Sequence, residues 1–143
     1  MQVARATSAD LPAIEALLTG SGLPLDGVAE AFETGIVARD RDAVVGAAAV
    51  EIHQDGALLR SVVVADAHRG SGIGRRLVLD AEGLARDHGA TEMYLLTETA
   101  GDYFPRLGYA RLERDDVPAG VQRSVEFTTA CATSAIAMVR SIR

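Results

Sequence analysis

Between His68 and Arg76 the chain reads HRGSGIGRR: Gly70, Gly72 and Gly74 alternate with other residues, and Arg69, Arg75 and Arg76 flank them. Glycines let a main chain approach a ligand closely and take conformations that side chains forbid. Arginines add charged donors for anionic oxygens. The apolar run LLRSVVV (Leu58 to Val64) enters this stretch, and LVLDAEGLARDHG (Leu77 to Gly89) leaves it at helical spacing. A strand turning through glycines into a helix gathers unpaired N–H groups at the positive end of the helix dipole, which suits a phosphate or diphosphate. A tight turn would account for the glycines alone. It does not account for strand, alternating glycines and arginines together.

Two nucleotide-binding motifs fit badly. A Walker A loop ends in Gly-Lys-Ser/Thr, which GIGRR lacks. A dinucleotide fingerprint needs G-x-G-x-x-G near the first strand of a βαβ unit, whereas these glycines run G-x-G-x-G after several hairpin strands. The pattern R-x-x-G-x-G, Arg69 to Gly74, resembles the acetyl-coenzyme A (acetyl-CoA) loop of the GCN5-related N-acetyltransferase (GNAT) superfamily. YFPRLGY, with Phe104 four residues before Gly108 and Tyr109 after it, resembles that superfamily's second signature. The resemblance covers nearly the whole chain.

It implies an α+β fold: a central mixed, mostly antiparallel sheet, splayed between strands 4 and 5 and flanked by helices on both faces, in a single N-acetyltransferase domain over residues 1–143. It implies acetyl-CoA as cosubstrate and no metal. The main chain of Val62, Val63 and Val64 would run beside the pantetheine arm. Arg69, Gly70, Ser71, Gly72, Ile73, Gly74 and Arg75 would surround the diphosphate, and Phe104 would also line the cofactor site. The acetyl group would sit where the sheet opens.

Acetyl transfer needs a neutral amine, and an alkylamine with a pKa of about 10 is mostly protonated at neutral pH. A carboxylate, directly or through water, must accept a proton. Glu51, with His53 nearby, is the first candidate, ahead of Glu98 and Asp102. A carboxylate simply solvated at a strand end is the competing account. Many relatives supply the leaving-group proton from a tyrosine where this chain has Phe104, so either the adjacent Tyr103 serves or the thiolate leaves toward solvent. Arg60 interrupts an apolar run and should share a face with Leu58 and Val62. Two readings stay open for it: a receptor for a substrate anion, or a surface arginine with its stem buried. Arg60, Ser61, Thr97 and Glu126 are the candidate substrate-binding residues.

Positioning these groups takes a regular set of elements. QVARAT reads as a first strand. A helix capped by Thr7, with Asp10 in its first turn, buries Leu11, Ile14, Leu17 and Leu18 and stops at Gly20 and Gly22. A second short helix is expected over Asp26–Phe32. Hairpin strands Ile36–Arg39, Ala43–Glu51 and Ala57–Val64 follow, separated by RDRD and HQDG. The helix after the glycines buries Ile73, Leu77, Ala81, Leu84 and Ala85 and ends at Gly89. TEMYLLT should lie parallel to LLRSVVV, because a helix connects them. A short helix around Tyr103, then strands Tyr109–Leu112 and Ser134–Arg140 separated by a loop, complete the chain.

Composition narrows the function. The 143 residues fit one domain. A net charge of −6, the absence of Trp and 4% aromatic content disfavour nucleic acid as a partner. No stretch approaches the ~20 apolar residues of a membrane span, and MQVARATSADL has no continuous apolar run, so neither signal peptide nor membrane association is expected. The single Cys131 permits no internal disulfide, which fits a reducing, cytoplasmic location. The expected partner is a small-molecule amine. A homodimer is expected by analogy, with the apolar C-terminal strand offering an edge.

Within the superfamily, VEIHQDGALLRSVVV, YLLTETAGDYFPRLGY and VPAGVQRSVEFTTACATSAIAM resemble the small arsenic-resistance N-acetyltransferases. That implies detoxification by acetylating a small amine, an arsenical amino-acid-like compound among the candidates. Ala132 stands where proline is expected after the cysteine. Cys131 could meet thiophilic arsenic, although a lone cysteine is more often a small buried hydrophobe. Alternative readings are an acetyltransferase of protein N-termini or lysines, and an acyl-CoA-binding sensor without turnover.

Overall fold

Ile73, Leu77, Val78, Ala81 and Ala85 recur at helical spacing, and all five are buried in α3 (Ile73–Asp87). Gly89, at φ +89°, ends the helix, with the N–H of Ala90 reaching back to the carbonyl of Ala85. The stripe can seat closely on the sheet because a Cβ at Gly46 would stand only 3.0 Å from Leu77 Cδ1.

The structure is a computed structural model that describes residues 1–98, 102–130 and 135–143. Strand β1 (Gln2–Arg5) pairs with β2 (Gly35–Asp40), β2 with β3 (Ala43–His53), and β3 with β4 (Gly56–Val64), all antiparallel. Two-residue turns close both hairpins, since Asp40 faces Ala43 and His53 faces Gly56. After α3, β5 (Glu92–Thr97) returns parallel to β4. Strands β6 (Ala110–Leu112) and β7 (Ile136–Ser141) follow, and β7 lies antiparallel between β5 and β6. The order is β1-β2-β3-β4-β5-β7-β6.

The β4–β5 pairing decides the shape of the molecule. It registers only Ala57 with Met93 and Leu58 with Tyr94, and beyond those pairs the strands part. Near the parting, β4 carries one extra residue against β3: Ala49 faces Arg60 while Ala47 faces Val63. Ser61, at φ +57°, takes up the insertion as a bulge.

Helices cover both faces. On one, α3 packs on Val50, Leu59, Met93 and Leu95. On the other, α1 (Leu11–Gly20), α2 (Val28–Ala31) and the 3₁₀ turn Phe32–Thr34 bury Ile14, Leu18, Val28 and Phe32 against Val37, Ala47, Ala49 and Val63. Beside them Val121 of α5 (Ala119–Gln122) packs on Leu58, Tyr94 and Ala137. Buried Glu82 ties α3 to the C-terminal half: Tyr109 Oη donates to it at 2.7 Å and Arg140 Nη1 at 2.6 Å. No helix among the described residues is long and apolar enough to cross a membrane.

Several sequence expectations need correction. Thr7 and Asp10 close a 3₁₀ turn over Ser8–Asp10, with the Asp10 carboxylate accepting the Thr7 N–H, and α1 begins only at Leu11. The expected loop after Leu112 contains a 3₁₀ turn, α5 and a π-helical turn, Glu126–Ala130. Tyr109 precedes β6, and Cys131, Ala132 and Ser134 lie outside the described residues. The C-terminal strand is not the edge strand of the sheet, because β6 pairs with Ala137–Val139 on its outer side. Arg60 and Val62 do not share a face: Val62 packs with Leu59 and Val64 under α3, and Val63 packs under α1. The extra residue at Ser61 breaks the period of two on which that expectation rested.

Leu77→Ala leaves a cavity where α3 meets the sheet and is expected to cost about 2–5 kcal/mol. Denaturant unfolding should show a lower midpoint with an unchanged slope.

Candidate active site

Leaving the sheet after Val64, the chain makes a 3₁₀ turn, Asp66–His68, and reaches the glycines. Gly70 and Gly72 adopt φ +82° and +85°, and Gly72 caps α3. Gly74 is different. It lies inside α3, where a Cβ would stand 2.5 Å from Tyr103 Oη, so the missing side chain makes room for the tyrosine rather than for an unusual backbone. Among the described residues, the backbone N–H groups of Gly70 through Arg75 have no backbone acceptor; Arg76 is the first to bond back, to the Gly72 carbonyl. A run of free donors on a helix N-terminus is an anion seat.

These donors border a cavity of about 750 Å³. Its walls are Val62, Val63 and Val64 of β4, the turn residues Arg69, Gly70, Gly72, Ile73, Gly74 and Arg75, and Tyr103 and Phe104 of α4 (Tyr103–Arg106). Of the expected cofactor residues, Ser71 alone is not on this wall; its hydroxyl donates to the His68 carbonyl. Arg69 is braced by the Val64 carbonyl and Asp66, while Arg76 pairs with Asp80 along the helix surface.

A second cavity, of about 320 Å³, occupies the parting of β4 and β5. Arg60, Ser61, Thr97 and Glu126 all line it, as do Leu59, Leu95, Leu96 and Glu98. Ser21, Leu23, Val62 and Phe104 border both cavities, so the two form one bent cleft. Tyr103 borders only the first, edge-on to Phe104, and burial raises its phenol pKa, which keeps it a proton donor.

Behind the second cavity sits a charged hub. The Arg60 side chain is 0% exposed. Its Nη1 donates to Glu51 at 3.2 Å, Nη2 to the Asp26 carbonyl at 2.6 Å and Nε to Ser61 Oγ at 3.1 Å. Glu126 Oε1 stands 3.9 Å from Nε. This overturns the surface-arginine reading: Arg60 joins β3, β4, the α1–α2 connection and the C-terminal segment. Glu51 borders neither cavity. It is held by Arg60, by Ser124 Oγ at 3.0 Å and by His53 Nε2 at 2.9 Å. Burial pushes its carboxyl up, but these bonds outweigh burial and hold it below the ordinary carboxylate range.

The cleft also uses residues that were not read as functional. Ser21, Leu23 and Pro24 come from GSGLPLDG, where glycine signalled only a helix stop; the signal was a leucine among turn residues. His68 joins the first cavity, and buried Ser124 joins the hub. Among the described residues, no group of three or more His, Cys, Asp or Glu side chains is placed to hold a metal ion.

The acetyltransferase (GNAT) domain family matches residues 31–111. An uncharacterized N-acetyltransferase of Chlorobaculum tepidum is 31% identical over 152 aligned positions, spanning 98% of this chain and 96% of that one. Among solved structures, Rv2747 from Mycobacterium tuberculosis, in complex with CoA and NLQ, is 27% identical, with a TM-score of 0.82 and 99% of each chain covered. N-acetylglutamate synthase from Neisseria gonorrhoeae, complexed with coenzyme A and N-acetyl-glutamate, shares the fold at a TM-score of 0.85 and 20% identity; the likeness spans 99% of this chain and 35% of that longer one.

Because the folded pKa of Glu51 is depressed, its contribution to stability is complete above the ordinary value of 4.5 and is lost as pH falls through the lower folded value. Glu51→Gln should therefore lower the melting temperature at neutral pH. It should also flatten the fall in melting temperature that the parent protein shows below about pH 4.5.

Proposed function

Because the chain belongs to the acetyltransferase (GNAT) family and is an acetyl-CoA-dependent N-acetyltransferase, we propose that it acetylates the amine of a small molecule by direct attack in a ternary complex. The observation that carries this reading is the bent cleft itself. One arm ends on six consecutive main-chain N–H groups without a backbone acceptor among the described residues, and the other opens into a cavity of about 320 Å³ between β4 and β5. That volume suits a small acceptor, and a side chain delivered on a long peptide is the less favoured reading.

The residues present fit the acyl carrier. Gly70 to Arg75 would hold its diphosphate through the main chain, Arg69 and Arg75 would add charge, and Val62 to Val64 would run beside the pantetheine arm. When bound, acetyl-CoA supplies an activated thioester. The extra residue at Ser61 leaves β4 main chain outside the β3 ladder next to the sheet opening, which supports a role in polarising the thioester carbonyl. Arg60, Ser61, Thr97 and Glu126 would shape the acceptor side. Two carboxylates compete to accept the amine proton: Glu51, favoured by its place on β3, and Glu126, on the cavity wall. Phe104 has no hydroxyl to offer the leaving thiolate. Tyr103 Oη lies next to Gly74, toward the diphosphate arm, so its reach to the sulfur is the point to test.

A finer reading, a role in arsenic resistance with an arsenical amino-acid-like acceptor, is supported by the wording of the three stretches that resemble that subgroup. We also propose that residues 1–143 act as one domain and that the protein works in the cytoplasm, as the single cysteine suggests.

Thiol release from acetyl-CoA across a panel of primary amines, arsenical amino acids included, tests the reading; binding of coenzyme A with no release for any amine overturns it. Gly72→Glu should abolish coenzyme A binding in calorimetry while circular dichroism stays native, since the new carboxylate would face the diphosphate on a backbone already at positive φ. Tyr103→Phe should lower turnover several-fold if its hydroxyl protonates the thiolate, and an unaltered rate would remove it from that role.

A further inference from the structure

We propose that Glu126 is the group that takes the proton from the acceptor ammonium, and that Glu51 is a positioning residue that holds Arg60. The assignment rests on the acetyl-transfer reading above and deepens it. Three carboxylates surround the opening of the sheet, and they differ in what they face. Glu51 borders neither arm of the cleft, and Arg60, Ser124 and His53 all bond to it. Glu98 borders the smaller cavity but is exposed, beyond the end of β5. Glu126 borders the same cavity and is buried, opposite Leu59 to Val62 of β4 and Leu95 to Thr97 of β5.

The hub holds Glu126 in register. Its N–H donates to Ser124 Oγ at 3.2 Å, and that hydroxyl donates onward to Glu51. It also opens the π-helical turn, a backbone form often found at functional sites. Its ion pair with Arg60 is long, at 3.9 Å, and the Arg60 Nε proton goes to Ser61 Oγ. Charged groups near Glu126 include Arg60 from β4, Glu98 beyond β5, Arg114, which donates to the adjacent Phe127 carbonyl, and, behind Arg60, Glu51 and His53 from β3.

The step balances without another co-reactant. The acceptor enters as an ammonium, and one N–H proton passes to the Glu126 carboxylate. The freed nitrogen lone pair attacks the thioester carbon and forms the C–N bond. The C–S bond then breaks with its electron pair on sulfur. A second proton, lost from the same nitrogen, ends on the thiolate, and Glu126 returns the first to solvent.

Thiol release, measured from about pH 6 to about pH 10 with an alkylamine, a diamine, an amino acid and an amino-acid amide, tests the assignment. Glu126→Gln should lower kcat/KM for the amine about 100-fold at neutral pH. The loss should shrink about tenfold per pH unit as free amine accumulates, with coenzyme A affinity by calorimetry unchanged. Glu126→Asp should recover part of the rate. Glu51→Gln should lower thermal stability and reduce the rate by a factor independent of pH. Wild-type rates and profile in Glu126→Gln, or the pH-dependent loss appearing in Glu51→Gln instead, would overturn the assignment. No thiol release by the wild-type protein with any of the four amines would instead remove the small-amine reading beneath it.

Discussion

Backbone polar groups that leave a sheet must find other partners, and here that requirement falls on the end of β4. After two residue pairs with β5 the ladder stops, and the main chain runs on through Ser61 to Val64 into six N–H groups that no carbonyl among the described residues answers. A chain under selection to fold would close such a gap with another strand. This one leaves it open and seals only its flanks, with α3 beneath one face and the α1–α2 connection over the other. A ligand that lay along β4 as a strand does, and ended in an anion, would complete the hydrogen bonding that folding leaves undone.

Much of this arrangement could be read from the chain. Period-two and period-3.6 patterns locate β2 to β5 and α3 closely, and RDRD and HQDG mark the hairpin turns. The glycine run marks the candidate anion seat because its signal is local: few other functions ask for alternating glycines between a strand and a helix. Ten of the eleven expected cofactor residues border the larger cavity, and the four expected substrate residues border the smaller one.

The misreadings have one physical origin, which is that tertiary partners do not announce themselves in local pattern. Alternation along LLRSVVV assigns Arg60 and Val62 to one face, and the bulge at Ser61 separates them. Nothing near Arg60 in the sequence reveals that Asp26, Glu51 and Glu126 converge on it from three other segments. Nor does the sequence around Glu51 reveal the three side chains, Arg60, Ser124 and His53, that bond to it. Equally, β7 looks like an edge strand because it comes last, although β6 closes its outer side.

That last point bears on how the molecule is made. Strand β7 is inserted between two strands that precede it, so β5 lacks one neighbour until residues 136–141 have been made. Ser124 and Glu126, which complete the hub, likewise emerge late. The N-terminal hairpins and α3 can assemble from contacts near in sequence, whereas the far wall of the cleft waits on long-range pairing, the slow part of β-sheet formation. Synthesis therefore releases a half-sheet with an open β5 edge, and β7 shields that edge only once it has followed.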